Sequence, residues 1–495
     1  MAPTARRWPD LVWSRDHDPA VLSRATADGQ LRRIARGLYV SADLDPQVVV
    51  ARYWARILAR EFPGAILVDA SARWLAPRDG RLFVLHGRRS PLVLPGLRIE
   101  PREGPGPLPT DHPGPDGIWF SSDARGLLDN LATPSERLLD RVELERWIEQ
   151  VAARHNGESY LNDVRDQARA IAGQIRRREA FERLNVIIRA TPATGPMSAL
   201  RSRELQARAA GSPIDPLRVA RLETLARFLG DFAPDPMPAS PGAVGRRTLL
   251  PFYEAYFSNY IEGTEFTLDQ AAEIVFERRM PAQRPEDAHD ILATYRLVSE
   301  SGWLGRTAAT ADEFAEVLRR RHEILMSARP DKDPGNFRQI NVRAGATPFV
   351  VWQQIEGTLA AGFAAGASLR DPFARAVFVH FLVAEVHPFS DGNGRSARMA
   401  MNAELSAASE VRIVIPTGFR NDYLGGLQGA TSNDLFDPMV RILAFARRWT
   451  AQMDFSSREV AEDLLERTNA LVDPGVAIRD GIKLRLASML PPDGS

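Results

Sequence analysis

Apolar positions along this chain change period, and the changes mark out its organisation. Residues 18–40, DPAVLSRATADGQLRRIARGLYV, predict a short helix, a turn at Asp28-Gly29 and a two-stranded basic hairpin. Asp18 is placed to cap that helix with Pro19 at its first position, and Arg36-Gly37 to turn the hairpin. A mixed helical and strand segment follows to about Arg102, and residues 103–117, EGPGPLPTDHPGPDG, are expected to be a loop. From Ser122 to about Leu229 the period is mostly helical, including Ser135–Ala172 with Leu138, Leu139, Val142 and Trp147 among its apolar positions. Residues 233–245, APDPMPASPGAVG, contain four prolines and are expected to be an interdomain linker. Beyond them the period is helical to Arg448, apart from Ile340–Val351, which suggests a short hairpin. No repeat of solenoid period is present. The expected fold class is therefore mainly α: a helical core with a small β-hairpin, preceded by an α+β region.

Composition narrows the class. With 495 residues, 44% apolar and 25% charged, the chain is an ordinary globular one, too long for a single core, and two to four domains are expected. It is too apolar for disorder. It contains no cysteine, which excludes a disulfide scaffold, thiol catalysis and thiolate zinc sites. There is no apolar stretch of membrane-spanning length. Met1–Asp10 carries Arg6 and Arg7 without an apolar stretch behind them, so no signal peptide is expected and the expected location is cytoplasmic. The 63 basic and 63 acidic residues cancel, but residues 1–100 carry 16 arginines against 10 acidic residues, a net of +6 that the remainder offsets. An anionic partner, nucleic acid first and a membrane surface second, suits that basic head.

The segment with chemistry beyond packing is HPFSDGNGRSAR at 387–398. Before it, Asp371–Val386 opens on Asp-Pro, has Phe373, Val377, Phe381 and Ala384 at helical spacing, and must end where Pro388 forbids continuation. After it, Arg395–Ser409 is helix-compatible and free of Gly and Pro. The motif is thus a loop feeding the N-terminus of a second helix. Gly392-Asn393-Gly394 lets backbone N–H groups turn toward one point, and the helix dipole adds to them, giving an anion nest. Arg395 and Arg398, at i and i+3, can together hold polyphosphate oxygens. Asp391 is a hard ligand suited to Mg²⁺ bridging phosphates, and His387 is suited to take a proton from an incoming hydroxyl. Phe389 reads as a core anchor, and His322 and His380, in apolar helical surroundings, as core or supporting residues. The set describes transfer to or from a nucleoside triphosphate. G-x-x-x-x-G-K-S/T is absent, so the chain is not a P-loop enzyme.

With every defined position present, HPFSDGNGRSAR resembles the Fic (Fido) signature, H-x-F-x-D/E-G-N-G-R-x-x-R. Pro334–Arg338 (PGNFR), Asn402, Arg420–Leu427 (RNDYLGGL) and Asn433–Leu443 (NDLFDPMVRIL) extend the resemblance to about Arg246–Arg448. It implies AMPylation, the transfer of AMP from ATP to a Ser, Thr or Tyr hydroxyl of a protein with release of pyrophosphate. It also implies His387 as base, Asp391 as Mg²⁺ ligand, Gly392–Gly394 as phosphate nest, and Arg395 and Arg398 on the outer phosphates. Tyr423 is a candidate for the adenine pocket. A flap over Ile340–Phe349, with Ile340, Val342, Gly345 and Phe349, would pair with the target as an added strand. Some relatives transfer phosphate or phosphocholine; an acidic fifth position followed by G-N-G-R-x-x-R favours ATP in the AMP-transferring orientation.

Two further segments bear on regulation. Leu249–Ile261 has helical apolar spacing, Gly263 is a natural terminator, and Ser258 and Glu262 share one face. SNYIEG (258–263) resembles the family's inhibitory helix, S/T-x-x-x-E-G/N, in its position before the core. The resemblance implies that Glu262 pairs with Arg398 and denies it to the γ-phosphate; in some relatives the same glutamate supports removal of AMP. SRATADGQLRRIARGLYV resembles the helix and wing of AbiEi-type antitoxins and winged-helix regulators, as does SSDARGLLDNLA (121–132), although only 17 residues precede Asp18. DNA contacts through Arg24, Arg32, Arg33 and Arg36 would follow. The expected division is a winged-helix-like region at 1–102, an AbiEi-like helical region at 103–232, the linker at 233–245, the inhibitory helix at 246–269, the catalytic core at 270–450 and a tail at 451–495. An auto-inhibited adenylyltransferase is the leading reading. The alternative is a DNA-binding, antitoxin-like regulator whose Fic core modifies itself or acts as a sensor.

Overall fold

The computed structural model describes residues 8–155, 157–192, 197–232, 235–239, 245–345 and 347–490, in two compact units, Met1–Gly211 and Ser212–Ser495. The first unit begins β1 (Leu11–Trp13), α1 (Pro19–Ala27), β2 (Leu31–Ala35), β3 (Leu38–Ser41), α2 (Pro46–Glu61), β4 (Ile66–Leu67) and α3 (Ala70–Trp74). It continues through β5 (Arg81–Leu85), β6 (Leu92–Leu94), β7 (Leu97–Arg102), β8 (His112–Pro113) and β9 (Trp119–Phe120) into α4 (Asp123–Asn130), α5 (Arg141–Arg154), α6 (Glu158–Ala172), α7 (Arg178–Ala190) and α8 (Arg203–Ala209).

Asp18 caps α1 as its sequence position predicts, accepting from Ala20 N at 2.7 Å. The basic hairpin β2–β3 exists, turned by Gly37 at φ 77°, and β1 joins it in a sheet of order β1-β3-β2. A second sheet, β6-β7-β5-β4-β9-β8, packs on α2 through Val50, Ile57, Leu82, Val84 and Ile99. Helices α4–α8 form their own core around Leu127, Trp147, Leu161 and Leu184. Two local expectations shift. The loop 103–117 contains a short strand, because His112–Pro113 pairs with β9. The helix expected from Ser135 begins at Arg141, where the Asp140 carboxylate accepts from Glu143 N at 2.8 Å and fixes the start.

The second unit is helical: α9 (Pro216–Gly230), α10 (Leu250–Ile261), α11 (Leu268–Phe276), α12 (Pro285–Ser299), α13 (Ser301–Leu304) and α14 (Ala311–Leu325), then a hairpin of β10 (Arg343–Ala344) and β11 (Thr347–Pro348). There follow α15 (Ile355–Ala365), α16 (Pro372–Val386), α17 (Asn393–Ala407), α18 (Arg420–Asn433), α19 (Phe436–Gln452), α20 (Arg458–Arg467) and α21 (Pro474–Asp480). α16 is the central rod, apolar all round and buried along nearly its whole length. It packs against α9, α15 and α17.

Three boundaries differ from those expected. The division between units falls at Gly211/Ser212, ahead of the Pro-rich segment, and α9 contributes Leu222, Leu225 and Leu229 to the same core as α16. Within 233–245, Met237–Ala239 runs along the second unit, with Ala239 N on Ser409 O at 2.8 Å and Val411 N on Met237 O at 3.0 Å, so this stretch is laid down rather than spanning open solvent. The segment expected as a tail folds: Ala461 and Leu465 of α20 share a core with Tyr253 and Trp449. Among the described residues no helix is long and apolar enough to cross a membrane.

Candidate functional site

The α16–α17 junction is built by side chains that satisfy its backbone. α16 ends at His387, whose left-handed backbone (φ 53°, ψ 60°) turns the chain while its amide still bonds Val383 O at 2.9 Å. Asn393 then closes the loop, its Oδ1 accepting from Phe389 N and its Nδ2 donating to Phe389 O, both at 2.9 Å. The Asn393 side chain is thus spent on loop geometry, and the nest is left to backbone. Gly392 stands at φ 70° with Met326 Sδ 3.0 Å from where a β-carbon would lie, so only glycine fits both the turn and the packing. The first amides of α17, at Asn393, Gly394 and Arg395, have no carbonyl one turn ahead and form the positive end of the helix.

Under this loop His322 stacks on Phe389, centroids 3.7 Å apart and planes 3° from parallel. Burial pushes its imidazole down to about 4, so it is neutral at pH 7. Its Nδ1 accepts from Gly335 N at 3.0 Å, which leaves the proton on Nε2 to be donated to Asp391 O at 3.1 Å. The core histidine of the sequence reading is therefore a pin between the loop and the approach to the flap.

The flap hairpin is shorter than 340–349. Arg343 faces Pro348 and Ala344 faces Thr347, with Gly345 at φ 57° in the turn and Phe349 N bonding Val342 O at 3.2 Å. Ile340 is exposed beside it. Phe349 covers the imidazole of His387, with ring centroids 3.7 Å apart and 9° between planes. Arg338, the last residue of PGNFR, carries no sequence signal of its role. Its buried guanidinium donates to His387 O at 2.9 Å, to Ile340 O at 2.6 Å and to Val350 O, tying the flap base to the motif loop. Burial first and the Arg338 charge second pull His387 down to about 4, against the opposing pull of the Ala384 carbonyl, Glu262 and Asp391.

Arg398 meets the helix α10. Its Nε donates to Ser258 Oγ at 3.0 Å, its Nη2 to Ser258 O at 2.8 Å and to Glu262 Oε1 at 2.7 Å, and its Nη1 to Tyr423 Oη at 3.4 Å. Burial alone would depress this guanidinium; the carboxylate of Glu262 and the Tyr423 hydroxyl hold it above its ordinary value. The same Glu262 carboxylate lies against Gly394, where any β-carbon would overlap its Oε1. A carboxylate thus occupies the mouth of the anion nest. Gly263, at φ 90°, ends α10 there, and Arg420 Nε caps Ile261 O at 3.0 Å.

Arg395 goes elsewhere. It is buried against α12, with Nη1 2.7 Å from Asp290 Oδ2 and 3.3 Å from Asn259 Oδ1, and it does not line the site cavity. That cavity, about 510 Å³, is walled by His387, Phe349, Gly394, Arg398, Glu262 and the α18 residues Tyr423, Leu424 and Leu427. The Tyr423 hydroxyl also shares a hydrogen bond of 2.8 Å with His380 Nε2, which burial keeps neutral. Asp391 stands at the loop with Oδ1 taking Gly392 N at 2.6 Å and a side chain 43% exposed. Among the described residues no group of three or more His, Cys, Asp or Glu could hold a metal by itself. In the first unit Arg24, Arg32, Arg33 and Arg36 are exposed and form no ion pair among the described residues.

Residues 313–405 match the Fic/DOC family. A protein adenylyltransferase Fic from Nematostella vectensis is 28% identical over 231 residues, 45% of this chain and 53% of that one. The protein adenylyltransferase fic-1 of Caenorhabditis briggsae is 32% identical over 146 residues, 27% of this chain and 26% of that one. The chain therefore spans about half or less of the length of these relatives. Among solved structures, Fic-1 from C. elegans aligns at 19% identity with a TM-score of 0.34, covering 65% of this chain and 88% of that one. A Fic domain containing signaling protein from Bacteroides thetaiotaomicron aligns at 17% identity with a TM-score of 0.37, covering 47% of this chain and 94% of that one.

Proposed function

We propose that this chain, which carries a Fic/DOC domain at residues 313–405, is an auto-inhibited protein adenylyltransferase that moves AMP from ATP to a hydroxyl side chain of a protein, itself included. The observation that carries the reading is the seat of Glu262: its carboxylate is held by Arg398 and lies against Gly394, where an anion belongs. The outer phosphates of ATP would replace that carboxylate on Arg398 and on the α17 amides, with the nucleoside along α18 past Tyr423. A target strand would pair with the flap edge beside Ile340 and present its hydroxyl to His387. The hydroxyl oxygen bonds to the α-phosphorus as the bond to pyrophosphate breaks, and its proton goes to a ring nitrogen of His387. Arg395, paired with Asp290 at 2.7 Å and 3.8 Å from Asp391 Oδ1, anchors the start of α17 beside the loop.

Asp391 fits Mg²⁺: with Oδ1 taken by the Gly392 amide, the rest of a half-exposed carboxylate suits an ion shared with substrate phosphates. Bound there, the ion would neutralise charge on the departing pyrophosphate. Peptide mass spectrometry of the Glu262→Gly chain after incubation with ATP and Mg²⁺ tests the cargo: AMP on a Ser, Thr or Tyr hydroxyl supports the reading, and a phosphate or phosphocholine adduct overturns it.

The proposed base has a defined pH signature. Half-buried beneath Phe349, with the charges of Arg338, Glu262 and Asp391 acting on it, His387 is neutral above a pKa of about 4. Transfer is expected to be level between about pH 6 and 8 and to fall only as acid protonates the imidazole. A half-maximal rate near pH 7 would contradict this.

A second reading concerns the first unit. Four exposed arginines without carboxylate partners among the described residues, on α1 and the β2–β3 ribbon, suit DNA phosphates, as in an antitoxin-like regulator. The full chain is expected to shift duplex DNA with an affinity that falls steeply with salt, and charge removal at Arg32 and Arg33 should flatten that slope. Binding indifferent to salt and to these arginines would overturn it.

A further inference from the structure

Arg218, on α9, lies upstream of the segment that carries the family resemblance, yet its side chain reaches the base of the flap. Its guanidinium, 11% exposed, divides between two elements: Nη1 pairs with Glu385 Oε1, and Nη2 donates to Pro348 O at 2.6 Å. Glu385, 1% exposed, sits in the last turn of α16. Its other partners are Arg221 Nη1 at 2.5 Å and Thr431 Oγ1 at 2.6 Å. Arg221 spends its remaining contact on Asp434, at 2.6 Å, and among the described residues makes no hydrogen bond to the flap.

Both groups that Arg218 holds lie close to His387 along the chain or in space. Glu385 stands two residues before it at the end of α16, and Pro348 precedes Phe349, whose ring lies flat on the imidazole. We propose that Arg218 is a positioning residue for His387, fixing its ring by holding the end of α16 and the base of the flap at one separation. The inference rests on the reading of His387 as the base. Arginine suits the task because a planar fork can bond two acceptors in fixed directions, whereas a lysine ammonium meets Glu385 without defining the flap carbonyl. Arg218 does not line the ATP cavity, so its loss should misplace the base without loosening the nucleotide.

The test uses the full chain with ring-labelled histidine and NMR, the His387 signal being assigned by its loss in His387→Ala. Arg218→Met is expected to move the His387 resonance out of the shielding of Phe349, and Arg218→Lys to restore it in part. Arg221→Met takes a charge from the same carboxylate without touching the flap, and should leave that resonance in place. In a Glu262→Gly background, Arg218→Met should lower kcat for AMP transfer about tenfold to a hundredfold while KM for ATP stays within about twofold. If Arg218→Met does not fold, Arg218→Lys carries the same comparison. An unmoved His387 signal in the Arg218 variants, or an equal displacement in Arg221→Met, overturns the proposal. If the Glu262→Gly chain transfers no AMP, the adenylyltransferase reading fails and the NMR comparison still decides the positioning.

Discussion

Replacing Glu262 with glycine is expected to raise the incorporation of AMP into protein at least about tenfold over the unaltered chain, since each tenfold requires only about 1.4 kcal/mol of relieved competition. The proposed competition is local and electrostatic. Glu262 takes one donor of Arg398 at 2.7 Å and fills the space against Gly394, so a triphosphate must either displace it or bind with its outer phosphates turned away. In the variant Arg398 keeps Ser258 and Tyr423 but loses its only carboxylate partner among the described residues. A buried cation left in that state is costly. The variant should therefore melt below the unaltered chain without nucleotide, and ATP with Mg²⁺ should raise its melting temperature more than it raises that of the unaltered chain. Equal shifts in the two proteins would mean that the carboxylate does not contest the phosphate site.

The second large effect is at His387. In the Glu262→Gly background, His387→Ala is expected to cut transfer by about two to four powers of ten, the range for a positioned general base. ATP binding should persist, because the proposed phosphate contacts lie on α17 and Arg398. Calorimetry would show affinity within about threefold while the rate collapses, the mark of an interaction made in the transition state only. A parallel loss of ATP binding would recast His387 as part of the nucleotide site. Its imidazole is covered by Phe349 and kept neutral by burial and Arg338, so it can accept a proton without first giving one up.

Much of this site could be read from the chain itself. The α16–α17 junction follows from Asp-Pro at one end, Pro388 at the other and the Gly-Asn-Gly turn between them, and Ser258 and Glu262 do face Arg398. Arg395 and Arg398 share a spacing and take different partners. Residues at i and i+3 differ by about 60° around a helix. With Asp290 waiting on α12, that angle sends Arg395 into the core while Arg398 points at the nest. The place of α9 was not legible, because an amphipathic pattern says that a face is buried without saying against what. Its Leu222, Leu225 and Leu229 fit either the helices before them or the core after them. Composition likewise marked 233–245 as a spacer, since backbone pairing of the kind Ala239 makes with Ser409 leaves no periodic trace in side chains. His322 and Arg338 act through carbonyls and amides, which the sequence does not distinguish from packing.

The central claim is that a phosphate seat on α17 and Arg398 delivers AMP and is closed by Glu262. The most direct test compares ATP labelled at the α-phosphorus with ATP labelled at the γ-phosphorus, using the full Glu262→Gly chain with Mg²⁺. The account predicts protein-bound label from the α position, little from the unaltered chain, and none from the γ position or from the Glu262→Gly, His387→Ala double variant. Label from the γ position, or α label no greater in Glu262→Gly than in the unaltered chain, would contradict it.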